Sequence, residues 1–373
     1  MNDKGRIMVF LAAVLSVWTL MHLYVLSRLW NLPLAPSPAW RTGLLLAAAA
    51  GWVGFPLAMW LTRSMGRAAA PLEVVATTWI GVLFLFLVCL LAADLVTGFG
   101  WLATGWWRQA RVVALAAAGV LSVVALVQGL RAPELREHAV AIRGLRPEYD
   151  GLRIVQLSDL HVGPFLKTAW LERRVEQVAA LRPDLVFVTG DLVDQDAALA
   201  EPVVSPLRRL TPRLGVWGVT GNHEYYAGLE RSLRAFELAG IRLLRDEAVE
   251  VAPGLVLAGV DDLSARRQFG IDGRPVDRAL SGRPPGATIY LSHSPWEAER
   301  AAELGADLML SGHTHAGQIW PFVYLVRLAY PYASGRYEVN GLTLIVSRGT
   351  GFWGPPMRLF RRAEITVITL KAG

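Results

Sequence analysis

The distribution of apolar and polar positions changes a third of the way along the chain. Up to residue 130 the apolar positions fall in four long runs, roughly 7–27, 42–62, 74–93 and 112–130, and polar residues are largely confined to the breaks. Each run is close to the ~20 residues that a helix needs to cross the hydrocarbon core of a bilayer. One or two such runs could be buried core helices, but four in succession, almost free of charge, predict a transmembrane bundle over residues 1–130. Trp30, Trp40, Trp101, Trp106 and Trp107 fall in the connections, where interfacial aromatics belong. Glu73 and Asp94 bound the third run, as expected for a span ending at the headgroups.

From residue 131 the pattern shortens. Residues 131–150 are polar and read as a connector holding a short strand and a turn. Beyond them, "LRIVQLS" (152–158), "LVFVT" (185–189), "GVWGVT" (215–220), "LVLAGV" (255–260), "ATIYLS" (287–292), "DLMLS" (307–311) and "LTLIVS" (342–347) are short, β-rich and bounded by Gly, Pro or Asp. Residues 169–181 and 229–240 carry helical periodicity, the second ending on a glycine stop. This alternation predicts an α/β domain over 151–373 with largely buried sheets.

Charge sharpens the division. Residues 1–130 hold 8 Lys and Arg against 3 Asp and Glu, and residues 131–373 hold 29 against 28, so the net +6 splits into +5 and +1. The basic excess flanks apolar runs and forms no stripe in the α/β part, which argues against nucleic acid as a partner. With the N-terminus inside, Lys4, Arg6, Arg63, Arg67, Arg131, Arg136, Arg143 and Arg146 lie on the inner side, and Arg28, Arg41, Arg108 and Arg111 on the outer side. That bias predicts an integral membrane protein, of the inner membrane if bacterial, with a cytoplasmic C-terminal domain. Reading the first run as a signal peptide, with "SPA" at 37–39 as its cleavage site, leaves the same orientation. Cys89 is the single cysteine, so neither an intramolecular disulfide nor a thiolate zinc site is available. Nothing in the pattern fixes an oligomeric state.

The turns after the predicted strands carry the chemistry. After 152–158 comes "DLH", after 185–189 "GDLVD", after 215–220 "GNHE", after 287–292 His293, and after 307–311 "GHTH". Five of the seven histidines (His161, His223, His293, His313 and His315) sit in these turns; His22 and His138 do not. Ligand groups in open α/β sheets gather beyond the carboxyl ends of strands. In extended backbone residues i and i+2 point the same way, so His313 and His315 are expected to aim at one place. Carboxylate, imidazole and amide oxygen together suit Mn²⁺, Fe²⁺ or Zn²⁺. The candidates are too many for one ion, and a two-ion centre, which lowers the pKa of a bridging water, absorbs them.

The order D-x-H, G-D-x-x-D, G-N-H-E, H and G-H-x-H, all present across residues 159–315, resembles the calcineurin-like metallophosphoesterase superfamily. "LRIVQLSDLHVG", "GHTHAGQIWPF" and "SRGTGFWGPPMRLFRRAEITVITL" resemble more narrowly its bacterial membrane-associated branch of YkuE/YaeI-like phosphoesterases. The resemblance covers roughly 135–370. It implies a four-layer α/β/β/α sandwich and two divalent metal ions. Asp159, His161 and His315 would hold the first ion, Asn222, His293 and His313 the second, and Asp191 would bridge them. His223 would sit over the phosphate, protonating the leaving oxygen or steadying the transition state; the alternative is a satisfied loop histidine. Asp194 would orient a ligand histidine or cap the next helix. Glu224 is expected as a structural partner. Arg348 would clamp a phosphate or pair with an acid, and the pairing is the preferred reading. Gln195 departs from the arginine that many members carry after the second aspartate, which puts analogy with protein phosphatases in doubt.

The resemblance and the spans together predict a membrane-anchored phosphoester hydrolase, a phosphodiesterase or pyrophosphatase acting on a membrane-held phospholipid or a UDP-diacylglucosamine-like lipid. The aromatics of "GTGFWGPPMRLF", Phe352 and Trp353, are either an interfacial loop or ordinary rim residues. The alternatives are a soluble phosphodiester or phosphomonoester as substrate, or a non-catalytic metal-binding sensor or scaffold.

Overall fold

The computed structural model describes residues 3–32, 37–163, 166–271 and 273–373. The side chains of Lys4, Arg6 and Arg67, and Asp272 in the polar loop after strand 255–260, lie outside the described ones. The chain divides into two units, the first comprising Met1–Leu130 with Gly354–Met357, the second Arg131–Trp353 with Arg358–Gly373.

In the first unit the four apolar runs are helices α1 (Asp3–Trp30), α2 (Pro38–Met65), α3 (Ala70–Val96) and α4 (Trp107–Leu130). All four are long and apolar enough to cross a membrane. Ser37 caps α2 by accepting the Trp40 N–H, with Pro38 at the first helical position. The two polar clusters that link helices of the bundle are paired, as a low-dielectric setting favours. The Asp94 carboxylate is fully buried and takes Arg28 Nε at 2.6 Å, Arg111 Nε at 2.7 Å and the Tyr24 hydroxyl at 2.7 Å, so it ties α1, α3 and α4 together. His22 bonds the Trp18 carbonyl through Nδ1 and accepts Trp79 Nε1–H at Nε2, a cross-link between α1 and α3.

The second unit holds twelve strands: β1 (Glu134–Ile142), β2 (Arg153–Leu157), β3 (Leu185–Thr189), β4 (Val216–Val219), β5 (Arg242–Leu243), β6 (Glu247–Ala252), β7 (Leu255–Gly259), β8 (Ala287–Leu291), β9 (Leu308–Ser311), β10 (Gly335–Val339), β11 (Leu342–Val346) and β12 (Glu364–Ala372). Its main helices are α5 (Thr168–Ala180), α6 (Ala197–Val204), α7 (Asn222–Tyr226), α8 (Leu229–Ala239), α9 (Leu263–Phe269), α10 (Pro275–Ser281), α11 (Ala298–Glu303) and α12 (Val323–Ala329). All seven strands expected from the sequence are present, and α5 and α8 match the two expected helices; Gly240 stops α8 in the left-handed conformation. The strands form two six-stranded sheets, β1-β12-β2-β3-β4-β5 and β10-β11-β9-β8-β7-β6. β2 to β5 are parallel in the first, and β7, β8, β9 and β11 are parallel in the second.

Alternation along the strands sets the layers. Ile154, Leu185 and Phe187 pack with Leu257, Ile289 and Leu308 between the sheets. Val155, Leu157, Val186 and Val188 face the opposite way, against residues of α5, α6 and α8. Ala258, Tyr290 and Met309 face residues of α9, α10 and α11. The order is helix, sheet, sheet, helix. Residues 131–150, read as a connector, carry β1, whose nine residues pair in parallel with β12 and so enter the first sheet. The expected short strand is this one, longer than its polar text suggests because most of its side chains are exposed or half-buried.

Candidate metal centre

β2, β3, β4, β8 and β9 all end at one edge of the paired sheets, and the turns beyond them carry the histidines and carboxylates. Those turns are abrupt. Asp159, His161, Asp191, His313 and His315 all have positive φ, between 46° and 70°. Such conformations cost roughly 1–3 kcal/mol each in non-glycine residues and collect where side chains must be aimed. His313 and His315 therefore do not converge through an extended pleat, as their spacing implied. Both are left-handed around a right-handed Thr314, and a tight turn does the aiming.

The side chains gather in two adjoining groups. In the first, His161 Nε2 lies 3.1 Å from His315 Nε2, and His315 Nε2 lies 3.3 Å from Asp159 Oδ1. In the second, His313 Nδ1 lies 2.8 Å from Asn222 Oδ1 and 3.2 Å from His293 Nε2, which is itself 3.2 Å from Asn222 Oδ1. Asp191 Oδ2 stands between the groups, 3.2 Å from His293 Nε2 and 3.6 Å from His161 Nε2. The seven residues are buried or nearly so.

The partners of the other ring nitrogens fix the tautomers. His293 Nδ1 faces the Thr189 carbonyl at 2.8 Å and so carries the proton, leaving a lone pair on Nε2. That lone pair meets Asp191 Oδ2, Asn222 Oδ1 and His313 Nδ1. With His313 holding its proton on Nε2, toward the Tyr330 hydroxyl at 2.7 Å, all four atoms are acceptors when His293 is neutral. With no cation among them, burial would lower His293, but the Asp191 carboxylate pulls a proton onto it and raises it well above the usual imidazole range. Four acceptors packed so closely repel one another unless a cation lies among them. His161 and His315 bring their Nε2 atoms to 3.1 Å, with Arg358 Nη2 donating toward Nδ1 of His315. Burial, with the neighbouring His161 and Arg358 charges, holds His315 well below the usual imidazole range, so its ring stays neutral. Burial alone would raise Asp191, but the surrounding histidines hold it well below the usual carboxylate range. The residues present thus fit two divalent cations.

The supporting residues have distinct tasks. Asp194 Oδ1 lies 3.5 Å from His161 Nδ1 and 3.3 Å from His223 Nδ1, so it sits behind both rings. It does not cap the following helix; Asp196 does, accepting the Ala198 N–H. His223 Nδ1 also meets the Asp194 carbonyl at 2.9 Å, which leaves Nε2 as its working atom. Burial would lower His223, but the Asp191 charge and the Asp194 hydrogen bonds prevail and push it up to about 9. The Glu224 carboxylate accepts the backbone N–H groups of Gly221, Asp191 and Val193 at 2.5, 3.0 and 3.1 Å, pinning the β3 and β4 turns together. Arg348 pairs with Glu134 and Glu364, away from any phosphate role.

Two neighbours escape a motif reading. Arg358 is fully buried, donates to the Gly351 carbonyl at 2.6 Å and reaches His315 Nδ1 at 3.3 Å. Tyr330 backs His313. Both come from segments beyond the last block, where no spacing links them to the histidines they touch.

The sequence model described as calcineurin-like phosphoesterase matches residues 152–317. A transmembrane protein with metallophosphoesterase domain from Danio rerio is 38% identical over 281 residues, 72% of this chain and 64% of that protein. A metallophosphoesterase of Aquifex aeolicus is 38% identical over 60% of this chain and 87% of its own length. The metallophosphoesterase YkuE of Bacillus subtilis is 30% identical over 64% of this chain and 86% of its own. The chain spans about three fifths of the length of the vertebrate relatives, 64% in zebrafish and 60% in cattle.

Proposed function

The chain belongs to the calcineurin-like metallophosphoesterases, and from that premise we propose that it is a membrane-anchored, divalent-metal-dependent phosphoester hydrolase acting on a phosphodiester or diphosphate held at the bilayer. Residues 1–130 serve as the anchor and residues 131–373 as the hydrolase, on the cytoplasmic side by the lysine and arginine bias. The observation that carries the reading is the buried convergence of Asp191 Oδ2, Asn222 Oδ1, His293 Nε2 and His313 Nδ1, adjoined by the facing His161 and His315 nitrogens.

In this reading Asp159, His161 and His315 hold one ion, Asn222, His293 and His313 the other, and Asp191 serves both. When bound, two such ions supply positive charge for phosphoryl oxygens and a water acidic enough to attack near neutral pH. His223 donates a proton from Nε2 to the departing oxygen, and its raised pKa keeps it charged at neutral pH. Asp194 fixes the rings of His161 and His223 with one carboxylate, which links ligand placement to acid placement. Glu224 holds the β3 and β4 turns at the spacing that Asp191 and Asn222 need.

The full chain in detergent is expected to hydrolyse an aryl phosphodiester with added Mn²⁺ and to lose that activity to a chelator. Asp191→Ala is expected to abolish both metal uptake, read by elemental analysis, and turnover. Wild-type protein that takes up no divalent ion, or takes it up and turns over no phosphoester, would sink this reading.

A further inference from the structure

Seven large apolar side chains stand exposed on the second unit within 41 residues of sequence: Trp320, Phe322, Tyr324, Leu325, Leu328, Trp353 and Phe360, with Leu328 at 84%. Helix α12 carries the centre of this face, and its polarity is inverted. Val323 is buried, while Tyr324, Leu325 and Leu328, three and four apart on one side, point to the outside. A helix of a water-soluble domain buries that stripe. The flanking loops belong to the same face. Gln318 exchanges two hydrogen bonds with the backbone of Trp353, Trp320 N–H bonds the Leu359 carbonyl, and the Trp320 and Phe360 rings lie 6.2 Å apart.

The face also borders the metal centre. Trp353 stands edge-on to His223 at 6.3 Å, and Tyr330, the residue after α12, bonds His313. Charge selects the occupant. Residues 312–336 and 349–363 contain no Asp or Glu. Of their arginines, Arg327 is exposed on α12 itself and Arg361 is half-buried, whereas Arg358 is buried and Arg336 and Arg362 pair with Glu338 and Glu134. Aromatic and leucine side chains with arginine and no acid match the boundary between acyl chains and anionic headgroups. The chain's own bilayer-length helices supply such a surface.

We propose that α12 and the loops carrying Trp320, Phe322, Trp353 and Phe360 form a bilayer-docking face at the mouth of the metal centre. The phosphoester hydrolysed there belongs to an amphiphile whose acyl chains stay in the membrane while its headgroup reaches His223. This rests on the hydrolase reading and narrows its substrate class.

The test uses the full chain, with Cys89→Ala, in vesicles of phosphatidylcholine with a minority of phosphatidylglycerol. An environment-sensitive fluorophore on Leu325→Cys or Leu328→Cys is expected to shift to the blue and to be quenched by brominated lipid, whereas one on Glu237→Cys in α8 is not. The double variant Leu325→Glu, Leu328→Glu is expected to keep its rate on a soluble aryl phosphodiester and to lose at least about tenfold on a phospholipid diester in the same vesicles. Labels that ignore brominated lipid while the soluble diester is still cleaved overturn the docking face and leave the hydrolase standing. Unlabelled Leu328→Cys chains that join as disulfide-linked dimers under a mild added oxidant give the face to a dimer and overturn it too. If neither diester is cleaved but the labels are quenched, the docking face holds and the hydrolase reading fails.

Discussion

The Tyr330 hydroxyl lies 2.7 Å from Nε2 of His313, and Nδ1 of the same ring faces Asn222 and His293. The tyrosine therefore decides which nitrogen His313 offers to an ion. Tyr330→Phe removes the partner and leaves the rest of the cluster in place. Loss of such a support costs 10- to 100-fold in metal affinity or activity, roughly. Metal titration of the full chain is expected to show weakened uptake of one ion of the pair, with the fold unchanged by circular dichroism. An unaltered titration would mean that the turn alone aims His313.

His223 and Asp194 give a pH dependence with a definite sign. The imidazolium is the acid, so the rate is expected to hold at neutral pH and to fall as pH rises through about 9. Asp194→Asn removes a charge that raises His223, so the fall is expected at lower pH. His223→Ala keeps both metals and abolishes this limb; metal loss in that variant would instead make His223 a ligand. In the metal-free protein the raised pKa also favours the folded state. That contribution is complete below the ordinary histidine pKa of about 6.5 and is lost as pH rises through about 9.

Glu224 predicts a stability effect without a metal ligand being touched. Its carboxylate receives three buried backbone N–H groups. Glu224→Ala strands all three, at about 1–3 kcal/mol each before relaxation. Thermal unfolding of the metal-free chain is expected to shift downward clearly, and Glu224→Gln, which keeps the acceptor oxygen, to recover part of the loss.

Periodicity decides how much of the fold is legible in the sequence. β2, β3, β7, β8, β9 and β11 are apolar on both faces because the sheets are covered on both sides, and they read as strands at once. The structure brings all seven proposed ligands together because each lies in the turn after a strand that ends at the same sheet edge. β6 and β10 are half-exposed and carry charge, and β5 has two residues, so no pattern marks them; β1, also half-exposed, reads as a short strand in a connector but not as a nine-residue sheet member. α12 escapes for a different reason: its apolar stripe faces outward, and a run of seven mostly apolar residues reads as core. Arg358 and Tyr330 act through long-range contacts, 43 and 17 residues from their histidine partners, which local spacing does not encode.

The membrane unit offers a test independent of the hydrolase. Asp94 is fully buried and holds two arginines and a tyrosine from neighbouring helices. Removing one partner of a buried ion pair leaves the others charged and unpaired, which costs about 3–5 kcal/mol. Asp94→Ala is therefore expected to destabilise the helical bundle strongly in detergent, read as an earlier loss of helical signal on heating. Asp94→Glu, with the charge kept on a longer stem, is expected to lose less. The added replacement of Arg28 and Arg111 by leucine is expected to restore stability to the Asp94→Ala background, because it takes away the stranded charges. If the triple variant is less stable than Asp94→Ala alone, the arginines have another anchor and Asp94 is not the centre of the cluster.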